Sequence, residues 1–220
     1  MEEKFNCWLP TWGELHENIR GIAKKIKEDN FQPDIIIALS RGGFVPARVI
    51  CDLMIIKDLV SVKVDHWGVT ASKDGKAHLR YPIDVDLTGK KVLIVDDITD
   101  SGESMELAKD FVKKLNPKEV RTAAIFHFRH SKFVPDYYSR ELVDWVWVMW
   151  PWNYIEDMCN ITPKVLDESE GCSIGQIKER LKERFKIDIT EQQIIEIMGV
   201  LVARNIAVEN GIGWTKNKIN

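Results

Sequence analysis

Val92-Leu93-Ile94-Val95-Asp96-Asp97-Ile98-Thr99-Asp100-Ser101-Gly102-Glu103-Ser104 decides how the chain is read. Its opening run of apolar, mostly branched residues predicts a short strand buried on both faces, as in a parallel sheet. Two adjacent carboxylates, Asp96 and Asp97, stand where that strand ends. A turn of acidic and hydroxyl residues follows, and Gly102 to Leu115 suits a helix stopped by Asn116-Pro117. In open parallel sheets, ligands sit beyond the carboxyl ends of the strands. A small-residue turn opening a helix aims backbone N–H groups at one spot, which suits a phosphate. Carboxylates beside that spot accept hydrogen bonds from sugar hydroxyls. The segment is therefore suited to hold a phosphorylated sugar by both ends.

The neighbouring sequence extends the pattern. Thr11 and Glu14 have capping-box spacing, and Leu15, Ile19, Ile22 and Ile26 follow at helical spacing. Asp34 to Leu39 reads as a second buried strand, Ser40-Arg41-Gly42-Gly43 as a turn, Val45 to Lys57 as a helix, and Val60 to Val64 as a strand. The glycines allow a ligand to approach the backbone closely, and Arg41 can fork onto phosphate oxygens. Val120 to Phe128 and Val143 to Trp150 are further strand candidates. Strands alternating with helices predict an α/β fold, an open and mostly parallel sheet flanked by helices. Residues 66–90 are polar and aperiodic, the character of a functional or mobile segment.

After Pro163 the composition shifts. Ile174, Ile177, Leu181 and Phe185 share one helical face, and Ile194, Ile197, Met198 and Leu201 another, with Thr190 as N-cap. This predicts a domain over residues 1–163 and a small C-terminal helical bundle over 164–220. The alternative for the tail is a winged helix, with residues 204–211 and their Asn210-Gly211 turn as the wing.

Composition narrows the class of function. The chain of 220 residues carries 31 basic and 34 acidic side chains, is 45% hydrophobic, and has a net charge of −3. That is the balance of a soluble globular protein with no electrostatic reason to bind a polyanion. No apolar run approaches the roughly 20 residues of a membrane span, and the N-terminal residues have no signal-peptide pattern. Cys7, Cys51, Cys159 and Cys172 are far apart and form no CxxC pair, so neither zinc nor a disulfide framework is expected, and the cytoplasm is the expected location.

The segment Val92 to Ser104 resembles the phosphoribosyl-pyrophosphate (PRPP) signature of the type I phosphoribosyltransferases. The resemblance implies that Asp96 and Asp97 bind the ribose hydroxyls, and touch Mg²⁺ carried by PRPP. It implies a 5′-phosphate loop of Thr99, Asp100, Ser101, Gly102, Glu103 and Ser104, and a pyrophosphate loop of Ser40, Arg41, Gly42 and Gly43, often with a cis peptide. In purine-specific members the acid matching Asp100 lies near N7 of the base, which makes Asp100 the catalytic candidate.

Two further stretches are similar to microbial and archaeal 6-oxopurine enzymes of this family. Trp147-Val148-Met149-Trp150-Pro151-Trp152-Asn153 looks like their W-(I/V)-x-F-P-W-(D/E) segment. The match makes Trp147 the aromatic stacked on the base and Val148 a backbone reader of its edge, with Asn153 in place of the family's acid. Arg129-His130-Ser131-Lys132-Phe133-Val134-Pro135-Asp136-Tyr137-Tyr138 looks like K-P-x-S-K-x-x-P-D-Y-Y, with Arg129 nearest to the lysine that donates to the 6-oxo group. Losing that lysine, together with the helical tail, favours adenine over a 6-oxopurine as the base, giving AMP. The implied reaction is purine base plus PRPP giving nucleoside monophosphate and pyrophosphate, in a homodimer and with no nucleic acid or membrane partner. Residues 66–83 fall where the family carries its catalytic hood, with Lys73, Lys76, His78 and Arg80 as its basic groups. A rival reading is a PRPP-sensing, DNA-binding regulator, but residues 164–220 hold nine basic and nine acidic side chains, without the basic footprint DNA requires.

Overall fold

The computed structural model describes residues 3–66, 77–211 and 213–217. In chain order the elements are β1 (Cys7–Trp8), α1 (Trp12–Glu28), β2 (Ile35–Ser40), α2 (Phe44–Met54), β3 (Leu59–His66), β4 (Ala77–Tyr81), β5 (Lys91–Thr99), α3 (Glu103–Lys113), β6 (Glu119–Phe128) and β7 (Tyr137–Leu142). They continue with β8 (Trp147–Val148), α4 (Tyr154–Ile161), a short 3-10 turn (Thr162–Lys164), α5 (Ile174–Phe185), α6 (Glu191–Ala203), β9 (Ala207–Asn210) and β10 (Gly213–Lys216). These form two compact units, one of residues 12–145 and one of residues 1–11 with 146–220.

The 12–145 unit is a six-stranded sheet in the order β4-β3-β2-β5-β6-β7. All its pairings are parallel except β3 with β4. Ile35, Ile37 and Leu39 of β2 and Val92 and Ile94 of β5 pack with Met105, Ala108 and Val112 of α3. The alternate residues Ile36 and Leu93 are equally buried, so these strands have no wet face. The expected α/β class, with a mostly parallel sheet between helices, is what the structure shows.

Three expectations need correction. The strand expected over Val143 to Trp150 is not there; β7 occupies 137–142 and only Trp147–Val148 are extended beyond it. β7 is an edge strand with mixed burial, so its polar residues hide it from a hydrophobicity pattern, while of the apolar residues after it Val143 and Trp145 are exposed and Trp147 and Val148 pair with β1. The helix expected to reach Lys57 ends at Met54, where Ile55 turns left-handed at φ 58°. The segment 66–90 contains β4, antiparallel to β3 with a register shift. His78 and Arg80 lie on that strand, whereas Lys73 and Lys76 fall outside the described residues.

In the other unit β1 and β8 pair in parallel, Cys7 with Trp147 and Trp8 with Val148. Their core is continuous with the tail: Cys7, Met149 and Met158 share it with Leu181, Phe185, Ile197, Met198 and Leu201. Ser173 and Thr190 each close a full capping box, with Gln176 and Gln193. The tail also contains a hairpin, β9 with β10, and Trp214 bridges back to Cys172. Helix, bridge, two helices and hairpin is the order of a winged helix.

Candidate active site

β5 outruns β2. The β2 pairing runs to Ala38 opposite Val95, while pairing with β6 continues to Thr99 opposite His127. The Ser40–Gly43 loop folds against the part of β5 left without β2. A Cβ on Gly42 would land inside the Asp97 carboxyl, and one on Gly43 would strike the Val95 carbonyl oxygen. Backbone closes the space at Gly43, whereas at Gly42 a side chain could enter only by pushing the Asp97 carboxyl aside. The Ser40–Arg41 peptide is cis and Arg41 is exposed. Two segments that the sequence keeps apart thus meet at Asp97.

Asp97 is buried, and its N–H donates to Asp96 Oδ1 at 2.9 Å. Burial, and then the like charge of Asp97, hold the Asp96 carboxyl well above the usual carboxylate range, with the Asp97 N–H working the other way. A ligand bringing hydroxyl donors or a cation would relieve this repulsion. Oxygen donors of this kind fit magnesium. Among the described residues no group of three or more His, Cys, Asp or Glu could cage a metal.

The turn after β5 rests on the loop after β6. Gly102 is left-handed at φ +85°, and a Cβ there would come within 2.7 Å of Ser131 Oγ and 2.5 Å of Phe133 Cβ. The Lys132 N–H donates to the Ser101 carbonyl at 3.3 Å. Asp100, Ser101 and Glu103 are exposed and Ser104 is half-buried. Thr99 differs: its hydroxyl is buried and bonded to His127 Nδ1 at 2.9 Å, so its side chain is used inside the fold. Burial lowers the His127 pKa, which keeps that imidazole neutral. A second contact, with no counterpart in the sequence pattern, joins His130 Nε2 and Asp100 Oδ1 at 2.6 Å. Asp136 is structural: it accepts from the Thr122 N–H and hydroxyl, both at 2.8 Å, tying the Pro135-Asp136-Tyr137 stretch to β6.

The residues expected to meet a base are distributed differently. Arg129 is exposed, and its guanidinium is held by Glu141 at 2.7 and 2.6 Å. Trp147 and Val148 belong to the other unit. There Trp147 is half-buried and tilted against Phe5 at 6.4 Å. Trp150 and Trp152 stack at 5.0 Å. Asp157 of α4 is buried, and burial pushes its carboxyl up to about 6, while hydrogen bonds from the Asn153 and Trp147 side chains pull the other way. Asn153, which replaces an acid in the motif, thus serves a nearby acid. Burial, then Asp157, pushes the Cys7 thiol up to about 12, so it is inert.

Residues 11–156 match the phosphoribosyl transferase domain family. A purine phosphoribosyltransferase from Pyrococcus horikoshii superposes with a TM-score of 0.59 at 32% identity, over 67% of this chain and 93% of that one. A protein named xanthine-guanine phosphoribosyltransferase from Desulfotalea psychrophila is 27% identical over 70% of this chain and 91% of its own. One named hypoxanthine-guanine phosphoribosyltransferase from Schizosaccharomyces pombe is 26% identical over 64% and 86%. The chain therefore belongs to the phosphoribosyl transferase domain family and is a phosphoribosyltransferase.

Proposed function

We propose that the enzyme transfers the phosphoribosyl group of PRPP to a 6-oxopurine. The observation that carries the sugar half is the Asp96–Asp97 pair pressed onto Gly42 and followed by the Gly102 turn. Asp96 and Asp97 accept the ribose hydroxyls, residues 99–104 receive the 5′-phosphate on backbone N–H groups at the start of α3, and Ser40 to Gly43 receive the pyrophosphate. Asp96 and Asp97 would hold magnesium brought by PRPP, which supplies charge neutralisation on the departing diphosphate. The N9 lone pair of the base forms the bond to the anomeric carbon, and pyrophosphate leaves with the electron pair of the C–O bond. Asp100, exposed at the turn, takes the proton from N7. No covalent enzyme intermediate is needed, and positioning and electrostatics supply the rate.

For the base, the relatives favour a 6-oxopurine over the adenine that the missing lysine suggested. The two curated relatives carry xanthine-guanine and hypoxanthine-guanine names, and the Pyrococcus enzyme is named for purines in general. A pyrophosphate-release assay with hypoxanthine, guanine, xanthine and adenine tests this. One of the oxopurines should turn over fastest; fastest turnover of adenine would overturn the assignment. The hairpin after α6 gives the regulator reading a winged shape. The evenly balanced charge of the tail still opposes tight DNA binding, which a low-salt gel-shift titration checks.

A further inference from the structure

We propose that His130 is the positioning residue for Asp100, holding its carboxylate turned toward the base. This rests on the acid–base role given to Asp100 above. His130 occupies the stretch where the resemblance to the family's lysine segment breaks down, and the structure shows what stands there instead. The Ser131 N–H returns to the Phe128 carbonyl at 2.9 Å and makes a tight turn, anchored by the buried Ser131. On that turn the His130 ring stacks on Phe128, with centroids 5.2 Å apart and planes 25° apart. Its Nε2 then reaches Asp100 Oδ1 at 2.6 Å, across the two loops that flank the phosphate turn.

Both side chains are about half exposed, so the contact adds little to stability. Its effect is on geometry. One carboxylate oxygen is fixed by a donor, which sets the rotamer and leaves the other oxygen for a ring nitrogen. The other charged or titratable groups on the elements carrying the ring are His127 on β6, Arg129 with its partner Glu141, and Lys132.

The test is kcat, KM for PRPP and melting temperature, with the fastest 6-oxopurine, for the wild type, His130→Ala, His130→Gln and Asp100→Asn. His130→Ala should lower kcat at least about tenfold with KM for PRPP and melting temperature unchanged. His130→Gln keeps an N–H donor and should recover most of kcat. If Asp100→Asn is crippled while His130→Ala retains wild-type kcat, the positioning role is wrong and the role of Asp100 stands. If Asp100→Asn is itself unimpaired, both fall. A kcat loss in His130→Ala with no recovery in His130→Gln also overturns the proposal. Should the alanine variant not fold, the glutamine variant carries the test: wild-type kcat supports the donor role and a loss as large as that of Asp100→Asn refutes it.

Discussion

The turn that follows β5 and the tryptophan stretch around β8 both carry family motifs, yet they are made differently. The first is mostly backbone. Gly42, Gly43 and Gly102 each sit where a single added carbon would collide with a carbonyl, a carboxyl or a neighbouring loop. The second is side chains: Trp147 leans on Phe5, and Asn153 stands where the family has an acid. Backbone recognition leaves almost no latitude in sequence. Side-chain recognition can be rebuilt from other residues, so its motif drifts while its task is kept.

The sharpest way to break this contrast is Gly42→Ala. The added carbon should displace the Asp97 carboxyl and weaken PRPP binding in calorimetry at least about 100-fold, with the melting temperature little changed. Asp97→Asn, which keeps the shape and removes the charge, should cost roughly 10- to 100-fold in the same titration. Wild-type affinity in both would remove the sugar site from this turn. Next in size is Trp147→Leu. If the indole stacks on the base, KM for the base should rise by the equivalent of about 1–3 kcal/mol, while PRPP affinity holds. An unchanged KM alongside a lowered melting temperature would make Trp147 a core residue only.

Asp157 gives an effect of similar size on stability. Its folded value of about 6 lies above the roughly 3.9 of an unfolded aspartate, so the fold favours the protonated form. Stability from this group is complete below about pH 4, falls as pH climbs to about 6 and is flat above that, a loss on the order of 2–3 kcal/mol. Asp157→Asn keeps an acceptor for the indole and should abolish that fall. Urea midpoints at pH 4.5 and pH 7 compare the two; parallel behaviour would mean the carboxyl is not held up. The smallest expected change is Arg129→Ala. Its ion pair with Glu141 is exposed and worth under about 1 kcal/mol, and the base KM should barely move. A large rise would restore Arg129 as a reader of the base.

The central sheet was legible because β2 and β5 are buried on both faces and read as unbroken apolar runs. The acid pair was legible because its chemistry is local in sequence. β7 was missed because its polar residues line an edge, whereas Asn210-Gly211 flagged the turn that ends β9. Arg129 drew attention as the cation nearest the missing lysine, yet its guanidinium turns to Glu141. The His130–Asp100 contact joins residues 30 positions apart, with no spacing to betray it.

One pairing bears on synthesis. β1 has no partner until β8 exists, and 140 positions separate Cys7 from Trp147. At translation rates of roughly 5–20 residues per second, the first strand waits about 7 to 28 seconds for its mate. The stretch between, residues 12–145, can collapse meanwhile as a sheet of its own. Cys7 and Trp8 therefore stay without their strand partners until the ribosome has made Trp147 and Val148.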